Sequence, residues 1–137
     1  MGRVYEQLGL SFSFVDMRNP ENVDKALTKS TRIVYGETPT NPMMFLADLQ
    51  AIGDICQARG VLFAVDNTFA SPIFQQPLSL GADLVMHSTT KYLNGHSDMV
   101  GGIMVTNRED LAERIGSCRT QPMRFPARWI AGWHSTI

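Results

Sequence analysis

The chain has 137 residues, 44% of them hydrophobic and 18% charged, with a formal net charge of −1, which suits a single globular unit of modest size. A balance so near neutrality supplies no electrostatic pull toward nucleic acid or an anionic membrane, so neither is expected as a partner. No apolar run is long enough to span a bilayer, and the opening MGRVYEQLGLSF lacks the shape of a signal peptide.

In chain order, strands and helices alternate. LSFSFVD (10–16) alternates apolar and polar positions and is predicted as a strand. NPENVDKALTK (19–29) is predicted as a helix, with Asn19 as N-cap and Pro20 in the first turn. TRIVYGE (31–37) follows as a strand and runs into the turn-rich ETPTNP. DLQAIGDICQARG (48–60) carries Leu49, Ile52, Ile55 and Cys56 on one helical face, with Gly60 as the stop.

The second half repeats the alternation. VLFAVDNT (61–68) is a continuous apolar run of the kind buried on both faces of a parallel sheet. ADLVMHSTT (82–90) and GGIMVTN (101–107) are two further strands, and Asn107 is placed to cap a helix over REDLAERI (108–115). Helices between buried strands predict an α/β fold, three-layered around a mostly parallel sheet. After Ile115, GSCRTQPMRFPARWIAGWHSTI has neither helical nor strand period and reads as a C-terminal loop or tail. Cys56 and Cys118 stand in no metal-ligand spacing with His87, His96 or His134. They read as packing residues of a reducing, cytoplasmic compartment, and no metal site is expected.

In open α/β sheets the ligand crevice lies beyond the carboxyl ends of the strands. Three strand ends here are polar: Glu37, Thr38, Thr40 and Asn41; Asp66, Asn67 and Thr68; Ser88, Thr89, Thr90 and Lys91. Taken singly, each is ordinary. A strand-terminal Asp is more often a turn residue, hydroxyls at a strand end mostly bond the local backbone, and a lone Lys is usually solvated. Taken together they form a donor set for one ligand. Partial desolvation favours a neutral, nucleophilic lysine amine, a carboxylate at a buried strand end can hold a protonated ring nitrogen, and hydroxyls can hold a phosphate. Those are the demands of pyridoxal 5'-phosphate.

The motifs Y-x-E-T-P-T-N-P (35–42), V-D-N-T-F (65–69) and S-T-T-K-Y-x-N-G-H-S-D (88–98), with QQPLSLGAD (75–83), resemble the Cys/Met-metabolism family of PLP-dependent enzymes. The resemblance runs from about residue 4 to Ile115 and implies the fold of the aspartate-aminotransferase-like large domain. It implies that Lys91 is the catalytic lysine, which carries the cofactor covalently and moves protons between substrate carbons. Asp66 would pair with the pyridine nitrogen, Ser88 and Thr90 would hold the phosphate, and Asn41 would lie near the ring hydroxyl oxygen. Thr68 would lie close to the cofactor, with His96 and Asp98 as supports of the lysine loop.

Within the family, N-G-H-S-D and NTFASPIFQQPL look most like the γ branch, the cystathionine γ-lyase and γ-synthase type. The implied chemistry is trans-sulfuration: elimination or replacement at the γ carbon of a sulfur amino acid, cystathionine or an activated homoserine. Full-length members are expected as homotetramers. The family's ring-stacking aromatic, part of its phosphate cradle and its substrate-carboxylate arginine have no counterpart in this sequence. Residues 1–115 are therefore expected to be the central part of the PLP-binding large domain, inactive alone, which leaves a non-catalytic product of such a gene as the alternative reading. Residues 116–137 are expected to be aberrant. Back-translated with permitted codons and moved by one base, they allow FLQNSTHAVPCALDCWLALN, which resembles the family's own continuation.

Overall fold

The computed structural model describes residues 11–120 and 129–131. Helix α1 (Pro20–Ala26) starts as its sequence dictates, with the Asn19 side chain accepting from the Glu21 amide and proline in the first turn. It ends at Leu27, short of the expected 29. There the Thr28 amide turns to the Thr31 hydroxyl at 2.9 Å, a local side-chain bond that competes with the helix ladder. Strand β1 (Ile33–Glu37) leads to helix α2 (Leu49–Arg59), capped by Asp48 accepting from the Ala51 amide. Gly60 closes α2 at φ 65°, a left-handed position where a Cβ is unwelcome.

Strand β2 (Leu62–Asp66), a short helix α3 (Ser71–Phe74), a 3₁₀ turn (Pro77–Leu80) and strand β3 (Leu84–Ser88) follow. A π-type turn (Thr89–Leu93) then carries the chain toward strand β4 (Gly102–Val105), helix α4 (Glu109–Thr120) and strand β5 (Trp129–Ala131). The strands form one sheet in sequence order. The pairs β1–β2, β2–β3 and β4–β5 are parallel, and β3–β4 is antiparallel. The expected α/β fold with a mostly parallel sheet and flanking helices is what the chain adopts.

Three expectations need correction. Residues 11–16 form no strand, while residue 10 lies outside the described residues. Phe14 is 92% exposed, and alternation without a neighbouring strand does not make a strand. Asn107 does not cap the last helix. The helix starts at Glu109, and the preceding Arg108 amide bonds the Thr106 hydroxyl at 3.1 Å. Finally, α4 continues past Ile115 to Thr120, and Trp129–Ala131 pairs with β4, so part of the stretch read as loop is regular. The other positions of that stretch beyond Thr120 lie outside the described residues.

One face of the sheet carries the core. Val23 of α1 and Leu49, Ile52 and Cys56 of α2 pack on Phe63, Val65 and Val85. Burial pushes the Cys56 thiol up to about 11, the Asp83 charge adding to the effect. The alternate face is more open, with Ile33 and Tyr35 about half exposed. The β2 run, read as buried on both faces, is nearly so: Phe63, Ala64 and Val65 are all buried.

Helix α2 comes unusually close to the 3₁₀ turn at Gly53. A Cβ there would stand 2.8 Å from the Leu80 carbonyl oxygen and 3.0 Å from Gly81 Cα. Both are backbone atoms and cannot rotate away. Gly53→Ala is therefore expected to destabilise the chain by about 1–3 kcal/mol despite alanine's higher helix propensity, measured as a lowered denaturant midpoint at unchanged slope. A midpoint equal to or above that of the parent chain would contradict the close approach.

His87 on β3 is 4% exposed, and its Nδ1 has no hydrogen-bond partner. Burial pushes its pKa down, opposed by the Asp66 charge and a bond to the Asn67 backbone. The unfolded chain then binds the proton more readily than the folded one. Stability is fully present above the ordinary histidine value of about 6.5 and falls as pH drops toward the lower folded value. His87→Gln is expected to flatten the stability–pH curve in the window just below that value, read by denaturant melts at a series of pH values.

Candidate functional site

Parallel pairing brings the exits of β1, β2 and β3 to one edge. Glu37 stands opposite Asp66, and Asp66 opposite Met86. Because side chains alternate along a strand, Tyr35, Glu37, Asp66, Met86 and Ser88 share the more open face. His87 and Val65 point into the helix-covered one.

Asp66 is the best-anchored member. Its Oδ1 accepts from the Thr68 amide at 3.0 Å and from the Thr68 hydroxyl at 2.6 Å. Among the described residues its Oδ2 receives only the Tyr35 hydroxyl, at 3.3 Å. Desolvation of the Tyr35 phenol, helped by the Asp66 charge, drives its pKa well above the usual tyrosine value, so it stays a proton donor. Desolvation also raises the Glu37 pKa, and the Asp66 charge raises it further.

The Thr68 hydroxyl has a second partner. It accepts from the Ser88 amide at 2.8 Å and so ties the β2 exit to the β3 exit. With its proton given to Asp66 and its lone pair to Ser88, it is a bridge between strand ends rather than a free donor at the rim. Its neighbour Phe69 meets the Tyr92 ring edge-on, centroids 6.2 Å apart, which packs the β2 exit against the lysine turn.

Lys91 sits at the middle of the Thr89–Leu93 turn, where the backbone leaves helical geometry (φ −91°, ψ −121°). Its side chain is exposed and makes no ion pair or hydrogen bond among the described residues. The Ser88 hydroxyl is likewise without a protein partner among them. The Thr90 hydroxyl is engaged, accepting from the Gly101 amide at 3.0 Å and donating to the Gly101 carbonyl at 3.3 Å. Downstream, the Asn94 side chain donates to Asp98 at 2.6 Å, and His96 Nδ1 donates to the Asn94 carbonyl at 2.8 Å. Those bonds are internal to the loop.

Asn41 is exposed and makes no side-chain bond among the described residues. The loop carrying it is nonetheless tight: Thr40 and Phe45 exchange backbone and hydroxyl bonds near 3.0 Å, and the Met44 amide bonds the Thr40 carbonyl at 2.8 Å. The structure therefore gathers Asp66, Thr68, Ser88, Thr90 and Lys91 along two adjacent strand exits, with Asn41 on the loop leaving the third.

Sequence reasoning missed two contributors, Tyr35 as donor to Asp66 and Gln75 as partner of Asn67, and it placed Asn67 at the rim where the structure buries its amide. The period-two spacing of Tyr35 and Glu37 was a usable signal for the first. A glutamine outside the recognised strand ends gave none for the second.

The residues fit pyridoxal 5'-phosphate by chemistry. A carboxylate held on one oxygen by two donors and on the other by the Tyr35 hydroxyl alone stands at a rim that also carries an amine and a hydroxyl without partners among the described residues. Among the described residues there is no cluster of His, Cys, Asp or Glu able to hold a metal ion, and no helix long and apolar enough to cross a membrane.

The chain is similar in sequence and fold to known proteins. The chain is 51% identical over 115 residues to a cystathionine gamma-lyase of Bacillus subtilis, an alignment covering 84% of this chain and 30% of that protein. It is 48% identical over 114 residues to a cystathionine gamma-synthase of Mycobacterium leprae, covering 83% of this chain and 29% of that one. In structure it superposes on the crystal structure of cystathionine gamma-lyase from Lactobacillus plantarum complexed with L-serine, with a TM-score of 0.82 and 46% identity. That match covers 84% of this chain and 30% of the other, so the chain spans about a third of the length of the relatives it matches. Residues 1–122 match a single family throughout, and the chain belongs to that family, the Cys/Met metabolism PLP-dependent enzymes.

Proposed function

We propose that the chain holds pyridoxal 5'-phosphate at the strand-end rim through Lys91, as part of an enzyme acting at the γ carbon of a sulfur amino acid. The observation that carries this reading is Asp66, fixed on Oδ1 by Thr68, while its Oδ2 holds a single long bond, from the Tyr35 hydroxyl at 3.3 Å, among the described residues. It stands at a rim whose next strand exit leads to Lys91.

The roles follow from the donors. Asp66 Oδ2 accepts the ring N–H and keeps that nitrogen protonated. Ser88 and Thr90 hold the phosphate; Ser88 has its hydroxyl unused, while Thr90 must exchange the long 3.3 Å bond to Gly101. Asn41 serves the ring hydroxyl oxygen. When bound, the cofactor supplies an electron sink for negative charge developing on substrate carbons. Lys91 Nζ anchors the cofactor and then moves protons between those carbons. Thr68 touches none of these atoms by hydrogen donation; it is a positioning residue for Asp66.

The substrate class of the whole enzyme is a small sulfur amino acid of the cystathionine or activated-homoserine kind, with elimination or replacement as the reaction. The names of the lyase and synthase relatives support both. Cytoplasmic placement fits the buried, protonated Cys56 thiol, and a homotetramer is the assembly carried over from the γ-branch resemblance. One observation favours a second reading, in which the chain by itself binds cofactor without turnover. Lys91 is exposed to water, and catalytic lysines owe their reactivity to desolvation.

Two experiments test the proposal. Incubation with pyridoxal 5'-phosphate is expected to give a visible-absorbing adduct that borohydride traps on Lys91, located by peptide mass and lost in Lys91→Ala. Label spread over surface lysines, or retained in Lys91→Ala, would refute it. Adding cystathionine then separates the two readings, since product from the chain alone excludes the second. Thr68→Val removes the bridge to Asp66 and leaves the Ser88 amide unpaired. It is expected to lower stability by about 1–3 kcal/mol and to weaken cofactor binding, measured by denaturant melt and absorbance titration.

A further inference from the structure

Beneath the rim lies a buried amide pair that the cofactor reading leaves without a role. Asn67 is fully buried, and its side-chain nitrogen donates to the carbonyls of Ser71 at 3.2 Å and Gln75 at 2.9 Å. The Gln75 side-chain nitrogen donates to Asn67 Oδ1 at 2.8 Å and to the Thr38 carbonyl at 3.1 Å. Thr38 is itself 2% exposed, and its hydroxyl accepts from the Ala47 amide at 3.0 Å. One glutamine thus joins the exit of β1, the exit of β2 and the turn after α3.

The two exits carry different halves of the site. The chain leaving β1 at Thr38 carries Asn41 within three residues, and the chain leaving β2 at Asn67 follows directly on Asp66. Beyond Glu37 and Asp66 the parallel ladder ends, so backbone pairing no longer sets the spacing of the two segments. The Gln75 amide does, because both its bonds are made by one planar NH₂ group. Either partner left unpaired in this buried place would carry a desolvation penalty.

We propose that Gln75 is a positioning residue whose side-chain amide fixes the Thr38–Ala47 loop against the β2 exit and thereby sets Asn41 relative to Asp66. The consequence for cofactor binding rests on the reading above that this rim holds pyridoxal 5'-phosphate. The consequence for the loop does not.

The test uses the full chain with Gln75→Met, which keeps the volume and removes the donor, and Gln75→Asn as the milder change if the first variant does not fold. The exposed neighbour Gln76→Met is the control. Backbone hydrogen exchange is followed by mass for peptides covering 38–47 and 62–66, and cofactor affinity by absorbance titration of the folded fraction. The expected result is exchange at least about tenfold faster in 38–47 with 62–66 unchanged, and a cofactor Kd weakened about tenfold. Gln76→Met should change neither.

Exchange in 38–47 equal to that of the parent chain overturns the proposal. So does equal loss of protection in 62–66, which would make Gln75 a general stabiliser. An unchanged Kd with a loosened loop removes the link to the site. If the parent chain binds no pyridoxal 5'-phosphate, the cofactor reading falls, and the contrast between the two peptides still decides whether Gln75 holds the loop.

Discussion

A single hydroxyl sets the geometry of this site. Thr68 Oγ1 gives its proton to the Asp66 carboxylate and takes one from the Ser88 amide. A carboxylate at a strand end would ordinarily turn toward water. Here two donors from Thr68 hold Oδ1, so Oδ2 has a fixed direction. Hydrogen bonds to a charged acceptor are about twice as strong as neutral ones, which makes this bridge a good place to anchor a functional group. The same atom keeps β2 and β3 at a fixed stagger just where their ladder ends, and Lys91 follows within three residues of Ser88.

Around that bridge the two sheet faces do different work. The helix-covered face supplies rigidity through Phe63, Val65 and Ile52, all essentially without exposure. The other face is more open at β1, where Ile33 and Tyr35 are about half exposed. Buried amides and hydroxyls at Asn67, Thr38 and Thr68 sit at the boundary. Each meets a polar partner there, as burial of polar groups demands. The exits are therefore stiff although the ladder has run out.

Much of this was legible in the sequence. Asp48 and Gly60 bracket α2, the apolar run before Asp66 marks a central strand, and Asp66, Ser88 and Lys91 fall at strand ends where open sheets bind ligands. The failures have physical causes. Residues 11–16 alternate like a strand, but pairing needs a neighbour and alternation does not supply one. Asn107 looks like a cap, yet Thr106 satisfies the Arg108 amide first. Gln75 escaped notice because long-range side-chain bonds leave no periodic trace.

The antiparallel turn of β4 back along β3 has a consequence of its own. Both ends of the segment bearing Lys91 return to the same sheet edge. There Gly101 is stitched to Thr89 by a backbone bond and to Thr90 by two hydroxyl bonds. The amine is thus mounted on a closed loop rather than a free arm. In the role proposed for Lys91, the search for a bound carbonyl would be confined to side-chain rotation, and much of the entropy cost of a covalent link would already be met when the chain folds.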